Sequence, residues 1–212
     1  MILATAATAW AATAGTSEPA SGAKPVRSLA EIRNEQVVRQ HWDLSCGAAA
    51  IATLMTYQLD RPVSERQVAV ALLRRTSPLR VRMRLGFSLL DLKRYAADQG
   101  FAAEGYGGMT LEDALAMAPL IVTIRANGYR HFVILRGRRG DRLLIADPAF
   151  GNRTLTTDAF GTAWVNGIGF VVHSPGQPRP PNHMGAPAEL FLQPAASSIR
   201  ASESSLTGGK GL

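Results

Sequence analysis

The sequence predicts an α+β fold, with helices in the first half of the chain and an antiparallel sheet in the second. Runs rich in Ala, Leu and Met, which favour helix, lie between residues 46 and 117, and apolar strand-like runs follow from residue 119 to residue 173. Helices followed by strands are typical of α+β domains, whereas a parallel doubly wound sheet would alternate them. A chain of 212 residues suffices for one domain with its own core and additional tails.

The helical half contains four predicted helices. The strongest is Cys46–Tyr57, which is apolar on nearly all sides, as expected of a buried central helix. Asp43 and Ser45, just before it, are residue types that often cap a helix amino terminus. The other three helices are predicted at Val63–Arg75, Ser88–Gln99 and Thr110–Met117.

The second half contains four strand-like runs, at Pro119–Ile124, Phe132–Arg136, Arg142–Ala146 and Gly167–His173. Residues 137–141, with a glycine at position 137 and another at position 140, separate the second run from the third, and this spacing predicts a β-hairpin. The glycine-rich stretch Gly105–Gly108, which precedes the last predicted helix, is predicted to be a loop.

The two ends of the chain differ in composition from its compact middle. Residues 1–14 are small and apolar and end in Ala12-Thr13-Ala14, which is typical of an export signal, although no basic segment precedes them. We expect a linker at 15–32, the folded domain at 33–174, and a Pro/Ser/Gly-rich, largely disordered tail at 175–212. The mature protein is therefore expected to be exported, to the periplasm foremost or to the extracellular space, without a transmembrane segment.

The composition limits the possible chemistry. The single cysteine, Cys46, excludes an intramolecular disulfide and metal sites of the CxxC type. The formal net charge of +7 comes from scattered arginines, with no long basic run and no alternation of aromatic and basic residues. We therefore expect no nucleic-acid partner, because a basic balance alone is not a recognition motif.

Cys46 lies at or beside the start of the predicted central helix. The unpaired N–H groups and the dipole at that end favour negative charge, so a thiol there becomes a usable thiolate. A nucleophile of this kind needs a base and a group that orients the base. This position makes Cys46 the candidate nucleophile.

Four histidines are candidate bases for Cys46. His131 precedes an apolar strand, which places its ring at a sheet edge; His41, His173 and His183 remain alternatives, because such partners meet in space rather than in sequence. Asp147 ends the other strand of the predicted hairpin, and the start of one antiparallel strand adjoins the end of its neighbour. A carboxylate there could accept the second N–H of His131 and set its tautomer.

Three motifs resemble those of the bacteriocin-processing, double-glycine leader peptidases: Gln40-His-Trp-Asp-Leu-Ser-Cys46-Gly, His131-Phe-Val-Ile-Leu, and Asp147-Pro-Ala. They occur in the family's order, and the resemblance covers about residues 35–173. It implies a papain-like fold with Cys46 as nucleophile, His131 as acid and base, and Asp147 as the orienting group. It also implies that Gln40, an ordinary loop residue by its sequence context alone, donates to the oxyanion.

The resemblance implies a cysteine peptidase that needs no cofactor and no metal. Family members best known for leader removal are fused to an ATP-driven exporter, whereas this chain has no phosphate loop of the GxxxxGK[ST] type. It resembles the standalone, exported members encoded with fibre or functional-amyloid secretion systems. We expect a monomer that acts on a secreted polypeptide or leader peptide, with secretion-system components as possible partners. A non-hydrolytic binding or chaperone module and an amidase or transpeptidase are the alternatives.

Overall fold

A computed structural model describes residues 27–126 and 128–191. The helices of this part are α1 (Leu29–Asn34), α2 (Cys46–Gln58), α3 (Glu65–Leu73), α4 (Pro78–Arg84), α5 (Leu89–Asp98), α6 (Leu111–Ala116) and α7 (Thr157–Ala163). The strands are β1 (Ala102–Tyr106), β2 (Leu120–Ala126), β3 (Tyr129–Arg139), β4 (Arg142–Asp147), β5 (Gly151–Thr156) and β6 (Trp164–His173). A short 3-10 helix follows at Ala188–Phe191. The predicted export signal at 1–14, the linker up to residue 26 and the tail from residue 192 lie outside the described residues.

The six strands form one sheet in the order β1-β6-β2-β3-β4-β5, and each neighbouring pair is antiparallel. The predicted α+β class with an antiparallel sheet in the second half is therefore confirmed. The predicted hairpin corresponds to β3 and β4, in which Ile134 pairs with Ala146. No helix in the described part of the chain is both long enough and apolar enough to cross a membrane.

Helix α2 is the centre of the helical half. Because Ala, Ile, Leu and Met lie on all of its sides, almost every residue from Cys46 to Met55 is buried. It packs on β3, where the ring of Phe132 lies so close to Gly47 that an added Cβ would stand 3.2 Å from it. The first core cluster fills the space between α2, α3, α5 and one face of the sheet, and a second cluster covers the opposite face under α6 and α7.

Six of the seven α-helices in the described part of the chain begin with a capping hydroxyl that accepts the N–H three residues later. These hydroxyls belong to Ser28, Ser64, Ser77, Ser88, Thr110 and Thr156. This bond pairs one of the free N–H groups of each first turn. The exception is α2, because Ser45 occupies its cap position without making a side-chain cap. Asp43, the other predicted capping residue, is exposed.

The structure contains elements that the sequence patterns did not predict. Helix α1 begins at Leu29, inside the predicted linker, and contains no buried residue. Helices α4 and α7 bury one residue each, Val81 and Phe160, so neither shows an apolar period. The predicted loop Gly105–Gly108 instead begins within β1, whose residues pair with β6 at the edge of the sheet.

Part of the segment predicted to be a largely disordered tail packs on the domain. Residues 175–191 are described, and Met184 and Leu190 are buried there. The buried guanidinium of Arg136 donates to the carbonyl oxygens of Met184, at 2.7 Å, and Gly185, at 3.2 Å. The composition suggested too little apolar surface for ordering, but a few buried side chains and the hydrogen bonds of Arg136 fix this segment. We call residues 181–191 the carboxyl strap.

Candidate active site

The antiparallel pairing of β3 and β4 brings His131 and Asp147 together. Asp147 is the last residue of β4 and His131 is the third residue of β3. His131 Nε2 lies 2.7 Å from Asp147 Oδ1, and both side chains are buried. Since the carboxylate accepts the Nε2 hydrogen, the imidazole presents Nδ1 to its other neighbours.

Asp147 is fully buried but accepts hydrogen bonds on both carboxylate oxygens. The backbone N–H of Ala149 donates to Oδ1 at 2.9 Å, and Arg153 donates to Oδ2 through Nε at 2.9 Å, with Nη2 at 2.8 Å. Burial raises the pKa of Asp147, but the His131 hydrogen bond and charge, Arg153 and the Ala149 N–H together lower it below its usual range. The carboxylate is therefore held ionised.

Cys46 is the first residue of α2 and its side chain is buried. Cys46 and His131 line the same cavity. Burial lowers the pKa of His131, but its hydrogen bonds with Asp147 and Cys46, and the charges of both groups, raise it to about 9. The site therefore favours an imidazolium between the carboxylate and the sulfur at neutral pH.

Gln40 lies beside these groups at the wall of the same cavity. Its backbone N–H donates to the carbonyl of Pro148 at 2.9 Å, which links it to the turn after Asp147. Its amide Nε2 donates to the carbonyl of Trp42 at 3.2 Å, and its Oε1 is buried without a hydrogen-bond partner among the described residues. One of the two Nε2 hydrogens therefore remains available to a ligand.

The Cys46 sulfur lies between two cavities. One, of about 320 Å³, is lined by Gln40 and His131, and the other, of about 550 Å³, is lined mainly by apolar side chains such as Phe87 and Phe132. Because Leu85 and Arg130 line both cavities, the two cavities form one continuous cleft across the thiol.

The other histidines do not reach Cys46. His41 bonds through Nδ1 to Glu65 at 2.8 Å and is exposed. His173 is near the carbonyl of Ser174, and His183 is exposed on the carboxyl strap. The alternative pairing of Cys46 with His41 is therefore not seen.

Arg153 and Glu65 belong to the site's surroundings but were not singled out from the sequence. Arg153 lies on polar β5, where Gly151 pairs with Asp147 and has a φ of +81°. A tight hairpin signal at Asp147–Gly151 could have placed Arg153 near the carboxylate. Glu65 directly follows the capping Ser64, where an acidic residue also suits the helix dipole, so its sequence context gave no sign of a second role. Among the described residues, no group of three or more His, Cys, Asp and Glu side chains could hold a metal ion.

Comparisons with known proteins identify the family of this chain. The peptidase C39 family matches residues 34–175. Two relatives are each named "Probable functional amyloid protease FapD". The one from Pseudomonas aeruginosa is 37% identical over 74% of this chain and 68% of its own length, and the one from Pseudomonas fluorescens is 38% identical over 83% and 78%.

Solved structures of similar fold include a double glycine motif protease from an AMS/PCAT transporter, in complex with its leader peptide. It is 28% identical, with a TM-score of 0.51 over 64% of this chain and 89% of its own. The peptidase domain of Streptococcus ComA is 18% identical, with a TM-score of 0.53 over 65% and 97%, and shows the shared fold. With its fold, its family match and two protease relatives in agreement, this chain belongs to the peptidase C39 family and is a cysteine peptidase.

Proposed function

We propose that this protein is an exported endopeptidase that cleaves a secreted polypeptide or its leader through Cys46, His131, Asp147 and Gln40. The observation that carries the proposal is the buried hydrogen bond between His131 and Asp147 at a cavity that Cys46 and His131 both line. A nucleophile, a base and a group that orients the base are the three parts that thiol catalysis requires.

In the proposed mechanism, the Cys46 thiol gives its proton to His131 Nδ1, and the thiolate attacks the carbonyl carbon of the scissile peptide bond. The carbonyl π pair moves to the oxygen, and the resulting oxyanion accepts hydrogen bonds from the backbone N–H of Cys46 and from Gln40 Nε2. The C–N bond then breaks as imidazolium Nδ1–H protonates the leaving amine. Water, deprotonated by His131, attacks the thioester and releases the acid and the free thiol.

The shape of the site supports cleavage within a polypeptide rather than at its end. The cleft continues on both sides of the Cys46 sulfur, through about 320 Å³ on the His131 side and about 550 Å³ on the Phe132 side. An extended chain could therefore pass across the thiol with residues bound on each side.

The substrate class and the location are inferred from the sequence and from the relatives. Residues 1–14, with their Ala12-Thr13-Ala14 ending, support export, and the two relatives named as functional amyloid proteases support a secreted polypeptide as the substrate. The structural neighbour that binds a leader peptide supports recognition of an extended segment. We propose the periplasm as the working compartment.

The test incubates wild-type protein and the Cys46→Ala variant with a proteome-derived peptide library and identifies new termini by mass spectrometry. We expect internal cleavage by the wild type alone, and an acyl-enzyme at Cys46 in rapidly quenched samples. Adding amine acceptors separates hydrolysis from transpeptidation, because a transpeptidase would join the acceptor to the new carboxyl end. An equal pattern of termini from both proteins would refute the proposed function.

A matched experiment in the source organism compares the exported proteins of the parent strain and a Cys46→Ala strain. We expect one or more polypeptides to keep an unprocessed terminus in the variant strain. Identical termini in both strains would contradict a role in processing secreted proteins.

A further inference from the structure

Glu65, at the start of α3, is a buried carboxylate that the proposed mechanism does not use. It is 3% exposed, although it lies in the first turn of a helix next to the loop of residues 40–45. The backbone N–H of His41 donates to it at 2.9 Å, His41 Nδ1 lies 2.8 Å from it, and the Ser45 hydroxyl also donates to it. One carboxylate thus holds both ends of the segment that connects Gln40 to Cys46.

The hydrogen bond from Ser45 explains why α2 lacks a side-chain cap. In the six capped helices the cap residue has a ψ between 141° and 161°, which points its hydroxyl back at the first turn. Ser45 has a ψ of 10°. Its single hydroxyl hydrogen is instead shared between Glu65 Oε1 and the carbonyl oxygen of Trp42, which lies 2.6 Å from Ser45 Oγ.

The ψ angle of Ser45 has a direct effect on the site. The Ser45 carbonyl accepts the Ala49 N–H at 3.0 Å, so the peptide plane that carries the Cys46 N–H belongs to the helix. A change in ψ from 10° to about 150°, the usual cap value, would therefore swing the preceding loop, which includes Gln40, relative to that N–H. The carbonyl of Trp42, which accepts the Ser45 hydroxyl, also accepts Gln40 Nε2 at 3.2 Å. Gln40, one of the two proposed oxyanion donors, is therefore connected to Glu65 through the Trp42 carbonyl and Ser45.

We propose that Glu65 is a positioning residue: by engaging the Ser45 hydroxyl and His41, it keeps Ser45 out of the capping conformation and holds the loop of residues 40–45 so that Gln40 Nε2 points at the oxyanion. The inference rests on the proposed function, since it assigns a support to one oxyanion donor of that mechanism. Glu65 itself contacts neither the thiol nor the substrate cleft as the structure describes them.

The first test is the Glu65→Gln variant, which keeps the side-chain size but replaces one acceptor oxygen by a donor. Its crystal structure should show Ser45 with a ψ near that of the capped helices. With a library peptide that the wild type cleaves, kcat should fall about 10- to 100-fold, because a misaligned oxyanion donor costs up to about 10³ in rate. KM should change by less than about threefold, since ground-state binding is untouched.

A second readout separates positioning from general damage. Alkylation of Cys46 by iodoacetamide forms no oxyanion, so its rate in Glu65→Gln should stay within about threefold of the wild-type rate. The matched control is Glu112→Gln, because the Glu112 side chain is exposed and pairs only with Arg138 on the surface. It should leave kcat, KM and the alkylation rate unchanged.

Ser45→Ala tests the capping argument. Without its hydroxyl, residue 45 cannot cap α2, so adding Ser45→Ala to Glu65→Gln should recover at least about threefold in kcat over Glu65→Gln alone, as expected for coupled sites. The inference is overturned if Glu65→Gln keeps Ser45 ψ near 10° and kcat unchanged, if kcat and alkylation fall in parallel, or if the double variant recovers nothing. Failure of the wild type to outperform Cys46→Ala would instead reject the proposed function, and this inference with it.

Discussion

Strand β3 carries two buried cationic side chains, five residues apart, with very different surroundings. His131 bonds to the carboxylate of Asp147, and it lines the cleft together with Cys46. Arg136 is 1% exposed, and its five hydrogen-bond acceptors are all neutral oxygens, from Met184, Glu35, Asn152, Gln36 and Gly185. The His131 network opens into the cleft and contains groups that exchange protons. The Arg136 network is enclosed by the protein and contains no such group among the residues named.

The comparison teaches that burial of charge alone does not identify a functional site. Burial lowers the pKa of Arg136 to about 10, which still leaves the guanidinium charged at neutral pH. It has no group to exchange a proton with, so its hydrogen bonds can only hold segments together. The pKa of His131, by contrast, is raised because its hydrogen bonds and charge interactions with two partners outweigh its burial, and one of these partners is a nucleophile.

The largest expected effect comes from His131→Ala, which should separate chemistry from stability. We expect kcat/KM on a library peptide to fall by about 10⁴-fold or more, because the thiol loses its base and the leaving amine its acid. The variant should remain folded, since Asp147 keeps the donors from Arg153 and Ala149. The control is His183→Ala, an exposed position. Activity within tenfold of the wild type would argue against His131 as the base.

The second prediction concerns Arg136→Met, which should lower the stability of the fold and leave catalysis unchanged. We expect the free energy of unfolding in urea to fall by about 3 to 5 kcal/mol, because several buried oxygens lose their donor at once. The fraction that remains folded should keep its kcat. Arg138→Met, two residues along the same strand and partly exposed, should change stability by less than about 0.5 kcal/mol. Equal losses in the two variants would show that the Arg136 network contributes no special stability.

The smallest expected effect is the pH dependence of stability that His131 causes. Its pKa rises from 6.5 to about 9 on folding, so the folded state binds the proton more tightly than the unfolded chain. The stabilisation is therefore full below pH 6.5 and is lost as the pH rises through about 9. Asp147→Asn weakens the partner that most raises the pKa of His131, while the burial of the ring remains. The pKa of His131 should therefore fall, and the loss of stability should shift to lower pH.

Two measurements check this sign. Urea unfolding at several pH values between 6.5 and 9 should show wild type losing stability relative to His131→Ala as the pH rises. An NMR titration of the His131 ring should show a lower pKa in Asp147→Asn than in the wild type. A wild-type ring that titrates below 6.5 would contradict the assigned imidazolium.

The central helix, the hairpin and the approach of His131 to Asp147 could be predicted because strong apolar patterns mark them. Residues Cys46–Met55 are apolar on all sides, and β3 and β4 are apolar runs separated by a glycine-containing turn. Antiparallel pairing then determines which strand ends are neighbours. The predicted roles of Cys46 and Gln40 drew additionally on the resemblance to a family.

The rest depends on tertiary contacts that leave no periodic signal. Strand β5 is largely polar, and α4 and α7 bury one side chain each. Glu65 and Arg136 are charged residues, which are usually exposed, so their burial follows only from partners distant in the chain. For Arg136 the distance is 48 residues to the carbonyl of Met184.

The carboxyl strap implies an order of assembly. Arg136 is part of the central hairpin, yet two of its acceptors, the carbonyls of Met184 and Gly185, are synthesised some fifty residues later. Until they arrive, the guanidinium must stay hydrated, and the core position that Met184 fills stays open. On the ribosome, the domain would therefore complete its interior only when the strap has left the exit tunnel, although the sheet and the cysteine helix were made earlier.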